Sequence, residues 1–463
     1  MSVIQSPPDS RKALASLLSD PRFLEKTSSP EFQKVIQRAN ERYAPWEKFQ
    51  YWPLPSDFSH EAAWAYLKLG RIANKKTVPL ISKQSEPFSY WITDSMLKAL
   101  NVIDLWSGGT ITADHPMGLP PKEQYIISSL MEEAIASSQL EGAATTRQVA
   151  KEMLRSGRKP ANTNEQMILN NWETMQYIRS NKGMKLTPAK LMEIHMLVTE
   201  KTLNDPNEAG KLRMRDDIIV SYSNETVHIP PPAETLPQRV EALCHFANNN
   251  ADEQWIHPVI KGAIIHFGLA YDHPFTDGNG RTARALMYWY LMSRRYLLFE
   301  YLAISRYFLR APGQYARAYL YTETDDGDLN YFLQYNLRAI TLAIMDLRLY
   351  LSRKQKEISR SNELLRSYRG LNARQKTLIY HAIQHPDWTY TIEEHKNYHG
   401  IVYQTARMDL LHLATKGFLK KQKQGKEFVF LPCDGMIEKL RAKEAKEAKA
   451  LENPMQPRLP DIT

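Results

Sequence analysis

The twelve residues from His273 to Arg284, His-Pro-Phe-Thr-Asp-Gly-Asn-Gly-Arg-Thr-Ala-Arg, constrain this chain more than any other stretch. Upstream, Ile260, Ile264, Phe267 and Tyr271 recur at helical spacing, so a buried helix is expected to deliver His273 to a loop. Gly278 and Gly280 can adopt positive φ, which lets successive backbone amides converge on an anion. From Arg281 onward the pattern reads as a second helix, whose N-terminal amides and dipole favour a phosphate. Arg281 and Arg284 are three apart and can face that phosphate together. Asp277 is a hard oxygen ligand suited to Mg²⁺, which binds through a carboxylate plus substrate phosphates. An ordinary Asn-Gly turn would explain the glycines. It would not explain a His, an Asp and two Arg beside them.

This stretch resembles, at every defined position, the signature of the Fic (filamentation induced by cAMP) family, His-x-Phe-x-Asp/Glu-Gly-Asn-Gly-Arg-x-x-Arg. It is not a Walker loop, because no Gly-Lys-Ser/Thr follows the glycines. The resemblance implies transfer of AMP from ATP to a hydroxyl side chain of a protein. His273 would be the general base and Asp277 the Mg²⁺ ligand. Gly278, Asn279, Gly280, Arg281, Thr282, Ala283 and Arg284 would surround the phosphates, with Phe275 anchoring the loop. In-line attack on phosphorus needs positioning and charge neutralisation more than covalent help, which suits this set.

Upstream, Ser137-Ser-Gln-Leu-Glu141-Gly142 closes a helical pattern running from Glu123 to Leu140. Ser137 and Glu141 are four apart and share a face. This resembles the Fic inhibitory motif, Ser/Thr-x-x-x-Glu-Gly/Asn, whose glutamate pairs with the second arginine, here Arg284. Gly210-Lys-Leu-Arg213 and Glu225-Thr-Val-His-Ile-Pro230 resemble the segment leading into the family's flap, a β-hairpin that holds the target by strand addition. Ile218, Val220, Tyr222, Val227 and Ile229 alternate as two short strands would, with a turn at Ser223-Asn224. The resemblance places Glu225, Thr226, Val227, His228, Tyr315 and Asp325 on the nucleotide side, Tyr315 near adenine and Asp325 near base or ribose. The family often carries two adjacent tyrosines where this chain has Tyr315-Ala316, and extra residues precede Asp326-Gly327-Asp328.

With 463 residues and 43% hydrophobic content, the chain can build several cores. Cys244 and Cys433 stand far apart with no Cys-x-x-Cys, which argues against a disulfide scaffold or zinc ribbon. His266 lies seven before His273 on the apolar helix and reads as a core or surface residue rather than a metal ligand. The start has no basic n-region followed by an apolar stretch, and no apolar run reaches about 20 residues, so a cytoplasmic protein without a membrane span is expected.

The expected fold class is mostly α. A Fic-like helical core with a β-hairpin flap covers 119–350, preceded over 1–118 by a helical region that begins with a loose arm. A linker over 351–370 leads to a unit at 371–432, where helical patterns at 372–383, after Thr391 and at 403–416 precede a strand–turn–strand. This resembles a winged helix-turn-helix. Gln404, Thr405, Arg407 and Met408 would be its exposed recognition face, with Lys420, Lys421, Lys423 and Lys426 its wing. Residues 433–463 read as a basic helix and tail. The last 113 residues hold 21 Lys and Arg against 13 Asp and Glu, nearly all of the net charge of +9. Partners implied are ATP, a target protein at the flap, duplex DNA or a protein at 371–432, and a second copy as homodimer; a membrane is not among them. Two rivals stand beside AMP transfer. One is a DNA-binding regulator that uses the core as nucleotide sensor, and the other an enzyme that moves another phosphate-containing group or removes AMP.

Overall fold

A computed structural model describes residues 4–107, 122–218, 220–222, 225–249, 255–364, 370–424 and 427–436. The turns at Ser223-Asn224 and Gly425 and the tail beyond residue 436 lie outside them. The chain divides into two compact units, one from Met1–Thr110, Leu130–Ala150 and Pro160–Met345, the other from Ile111–Ser129, Lys151–Lys159 and Asp346–Thr463.

The first unit begins with α1 (Ser10–Leu18), α2 (Phe23–Ser28), α3 (Pro30–Glu41), α4 (Trp46–Phe49) and α5 (His60–Asn74). Two helices, at 10–18 and 23–28, therefore stand where a loose arm was expected, and they pack inward through Leu17 and Thr27. Phe32, Phe49 and Trp64 centre this layer, with Phe32 stacked on Phe58 at 3.8 Å. The hairpin β1 (Lys76–Ile81) and β2 (Pro87–Tyr90) interrupts a stretch read as helical. Val78 and Leu80 are buried at period two and face inward with Phe88 and Tyr90, a pattern masked in sequence by Pro79 and Pro87. α6 (Asp94–Ser107) follows.

The centre is made from α7 (Lys122–Leu140), α8 (Arg147–Ser156), α9 (Thr163–Ser180), α10 (Pro188–Thr199), hairpin β3 (Val220–Tyr222) and β4 (Glu225–His228), α11 (Leu236–Asn248), α12 (Pro258–Asp272) and α13 (Asn279–Ser293). α12 starts at His257, whose side chain accepts from the Val259 amide, with Pro258 at the first helical position. All of α12 except Pro258 and Ala270 is buried, so it is a central helix rather than an amphipathic one. α13 is buried equally and packs against it, which leaves 273–278 as the tight connection between two fixed rods. His266 is fully buried, which decides between the core and surface positions that the sequence left open.

α14 (Ser305–Arg310), α15 (Pro312–Thr324) and the long α16 (Asn330–Leu364) follow. α16 runs through most of the expected 351–370 linker, since its charged residues carry strong helix propensity and no proline or glycine stops them before Gly370. Among the described residues no helix is long and apolar enough to cross a membrane.

In the second unit, α17 (Ala373–Gln384), β5 (Tyr390–Thr391), α18 (Ile392–His399), α19 (Tyr403–Thr415), β6 (Leu419–Gln424) and β7 (Glu427–Pro432) enclose a core of Ile379, Leu410, Leu413, Phe418 and Phe430. The strand order is β5-β7-β6. Asn372 and Gln375 form a capping box on α17, the Thr391 hydroxyl caps α18, and Gly400 ends it at φ 62°. Asp409 on α19 accepts hydrogen bonds from Asn372 (2.7 Å), Arg374 (2.7 Å) and Gln375 (3.2 Å), with His395 at 3.4 Å, so one buried carboxylate ties α17, α18 and α19 together. Burial alone would raise its pKa, but the bonds from His395, Arg374 and Asn372 outweigh that and hold the carboxyl well below its usual range. Asp409→Ala should therefore destabilise this unit by about 3 kcal/mol, by leaving buried donors unpaired. Amide exchange across 403–415 would report it as lost protection. Because the folded value is depressed, the contribution is present above the unfolded carboxylate value of about 3.9 and is lost as pH falls. The gap between wild type and variant should close in acid.

Candidate active site

His273 ends α12 in the left-handed conformation, φ 46° and ψ 56°, with its amide bonded to Leu269 O at 3.0 Å. Its Nδ1 lies 3.4 Å from Ala270 O on the last turn of α12, and the residue is partly exposed. Burial, then the neighbouring charge of His228, push His273 down to about 4. At neutral pH it is an uncharged imidazole, the form that accepts a proton.

The loop is held from three sides. Asn279 folds back on it: its Oδ1 accepts from Phe275 N at 2.9 Å and its Nδ2 donates to Phe275 O at 2.8 Å. Arg213, itself buried, donates from Nε to His273 O at 2.9 Å and from Nη2 to Pro231 O at 2.5 Å, while its amide donates to Pro274 O at 2.9 Å. On the inner side Phe275 stacks on His195 with centroids 3.7 Å apart and planes 9° apart.

Gly278 precedes α13 at φ 80°, where a Cβ would meet Thr199 Cγ2 at 2.7 Å. Beyond it the amides of Asn279, Gly280 and Arg281 open α13 with no intrahelical acceptor. The Thr282 amide is taken by Gly278 O at 3.0 Å, and the Thr282 and Ala283 side chains are fully buried. Among the described residues the Thr282 hydroxyl has no hydrogen-bond partner, and Ala283 offers only its packed methyl. Arg281 is fully buried; Nη1 donates to Val198 O at 3.0 Å, while Nε and Nη2 have no hydrogen-bond partner. Its nearest carboxylate is Asp277 at 3.5 Å. The Asp277 side chain is 57% exposed, with Oδ1 on the Gly278 amide at 2.5 Å.

Arg284, one turn further, is also buried. Its Nε donates to Ser137 Oγ at 2.8 Å, and Nη2 donates to Ser137 O at 3.0 Å and Glu141 Oε1 at 2.8 Å. Burial disfavours the guanidinium charge, but the Glu141 carboxylate more than restores it. A Cβ on Gly280 would fall 2.1 Å from Glu141 Oε1. The carboxylate therefore lies directly over the first turn of α13, where an anion is best stabilised. Glu133, which sequence reasoning passed over, accepts from Tyr288 OH at 2.8 Å and Ser305 N at 2.9 Å. Glu133, Ser137 and Glu141, spaced by four, thus meet Tyr288, Arg284 and Gly280 in turn, an antiparallel ladder between α7 with its following turn and α13. That i, i+4, i+8 spacing was the signal available in the sequence.

The remaining expected residues spread outward. Tyr315 OH lies 2.7 Å from His266 Nε2 and 3.1 Å from Tyr319 OH. Asp325 is buried, bonded to Lys68 at 2.6 Å and Tyr331 at 2.7 Å, so both of its oxygens serve packing of α5 against the segment after α15. Glu225, Thr226 and Val227 lie on β4, paired to β3; their side chains lie outside the described residues. His228 contacts Glu323 at 2.8 Å and Tyr271 O at 2.7 Å, which fastens the end of β4 to the end of α12.

Residues 185–291 match the model of the Fic/DOC family, and the chain carries a Fic/DOC domain there. Among curated proteins the chain is 31% identical over 180 residues to a protein adenylyltransferase Fic of Nematostella vectensis, covering 37% of this chain and 40% of that one. It is 28% identical over 273 residues to a protein adenylyltransferase Fic of Culex quinquefasciatus, covering 58% of this chain and 49% of that one. The matches span less than half the length of these relatives. Among solved structures, a Fic family protein from Desulfovibrio desulfuricans G20 aligns over 75% of this chain and 98% of its own, with a TM-score of 0.49 and 18% identity.

Gly278→Ala tests the loop. Its positive φ and the Thr199 contact should together cost about 2 kcal/mol or more, seen as a lowered denaturation midpoint. A variant of unchanged stability would contradict the loop geometry.

Proposed function

We propose that this chain transfers AMP from ATP to a hydroxyl side chain of a protein, and that Glu141 restrains the transfer. The observation that carries the reading is the carboxylate of Glu141 over the first turn of α13, bonded to Arg284 at 2.8 Å. A site that already stabilises one anion at a helix N-terminus, between two buried guanidiniums, suits the phosphates of ATP. Arg281 points the same way: among the described residues its Nε has no hydrogen-bond partner and its Nη2 only a 3.5 Å contact to Asp277, and buried donors are costly unless a ligand accepts from them.

In this reading the β3–β4 hairpin holds the target backbone, and neutral His273 takes the proton of the target hydroxyl. The hydroxyl oxygen bonds to the α-phosphorus of ATP as the bond from that phosphorus to the bridging oxygen breaks, and diphosphate leaves. Arg281, Arg284 and the first amides of α13 neutralise the charge that moves onto the leaving group. Asp277, whose carboxylate is exposed beside the loop, is the residue that would hold Mg²⁺, and the ion would supply further charge neutralisation. Functional division of the chain into 119–350 for transfer and 371–432 for recognition belongs to the same proposal. Tyr315 and Asp325 are read as support, Tyr315 through His266 and Asp325 through Lys68.

Glu141→Gly should raise transfer, self-modification included. Each charge-assisted bond Arg284 makes in such a site is worth about 1.5–3 kcal/mol, so releasing it for phosphate corresponds to roughly 10–150-fold in rate. Adding His273→Ala should remove that activity, a factor of about 10²–10⁴, yet leave ATP binding in place. Labelled-ATP incorporation for the three proteins decides it; a Glu141→Gly rate no higher than wild type would sink the restraint, and strong transfer without His273 would sink the base.

A second reading concerns 371–432 as a winged helix that docks on duplex DNA. Gln404, Arg407 and Met408 are exposed on α19, and Lys420, Lys421 and Lys423 are exposed along β6. Basic residues suit phosphates and the helix face suits a groove. The full chain should bind mixed duplex fragments with an affinity that falls steeply with salt. Absence of binding at low salt in an anisotropy titration would favour a protein partner instead.

A further inference from the structure

His195 is a buried histidine whose two ring nitrogens face two different segments of the site. The Gly210 amide donates to Nδ1 at 2.9 Å, which places the ring proton on Nε2, and Nε2 donates to the main-chain oxygen of Asp277 at 2.9 Å. The ring is fully buried and stacks on Phe275 at 3.7 Å. A Cβ on Gly278 would lie 3.4 Å from Nε2, so the ring also lines the wall against which the glycine turns.

We propose that His195 is a positioning residue: it fixes the Asp277 main chain so that the carboxylate stands ready for a divalent cation before nucleotide arrives. The proposal rests on the reading of Asp277 as the Mg²⁺ ligand. Asp277 is the most exposed residue of the loop, and its side chain makes only a hydrogen bond to the adjacent amide and a long contact to Arg281. Nothing on the solvent side therefore sets its direction. The Nε2 bond sets it from within. A residue that orients a ligand through such a bond typically changes metal affinity by about 10–100-fold when removed.

Three substitutions separate the bond from the ring. His195→Gln carries an amide donor at the reach of Nε2 and loses the Gly210 acceptor. His195→Asn carries an acceptor at the reach of Nδ1 and loses the donor to Asp277. His195→Phe keeps the stacked ring and loses both bonds. ATP binding would be measured by calorimetry in a Glu141→Gly background, over a Mg²⁺ series and in EDTA. The Gln protein should show Mg²⁺ half-saturation within about twofold of its parent. The Asn and Phe proteins should need about 10–100-fold more Mg²⁺, while ATP affinity in EDTA stays alike in all four. Equal Mg²⁺ requirements in Gln and Asn, or a Phe protein like its parent, would overturn the role of His195 while the parent's Mg²⁺ dependence keeps the reading of Asp277. A parent whose ATP binding ignores Mg²⁺ would overturn that reading, and this role with it.

Discussion

Arg284 is a cation with almost no access to water, and the site is organised around that fact. A buried guanidinium needs an anion or several strong acceptors, or it destabilises the fold by several kcal/mol. In this chain Ser137 supplies two of its acceptors and Glu141 the third. Glu141 is the partner that can be exchanged, because its side chain remains 28% exposed and sits in a turn after α7 rather than within it. Ser137 and Glu133 are buried inside the ladder and hold α7 in register with α13. The same interaction that satisfies the arginine therefore fills the anion position over α13; in the proposed function a phosphate would take that place and keep the guanidinium paired.

The loop between α12 and α13 is fixed independently of Arg284. It is held by bonds to its main chain. Asn279 closes it from within, Arg213 grips the main chain at His273 and Pro274, and His195 holds Asp277 from the core. Each of these partners comes from a different part of the chain, so the loop is over-determined. That is what allows His273 to remain in the left-handed region and Gly278 to remain pressed against Thr199.

The two units rest on the same device in different chemistry. In one, buried cations Lys68 and Arg71 of α5 meet Asp325 and Tyr331 after α15, which makes the N-terminal helices part of the layer that supports the core. In the other, the buried anion Asp409 on α19 gathers donors from α17 with its cap and from α18. Such groups specify one arrangement of packed helices, since an apolar core alone would tolerate slippage.

The loop and its chemistry were legible in the sequence because they are local. Glycines, an Asn, two arginines and a base within twelve residues leave few conformations, and the apolar pattern of α12 and α13 places them between buried helices. The Ser137–Glu141 spacing was equally readable, as helical periodicity decides which residues share a face. What sequence could not supply were the pairings across distance. Nothing near Asp325 reveals that Lys68 would claim its carboxylate, and nothing near Tyr315 reveals that His266 would bind its hydroxyl. The β1–β2 hairpin was hidden for a related reason: its alternation is short and broken by prolines, and only packing against the core fixes it as strand. His195 was missed because a single histidine on an apolar helix carries no local signature. Its role exists only once Gly210 and Asp277 stand on either side of it, and that juxtaposition is made by the fold.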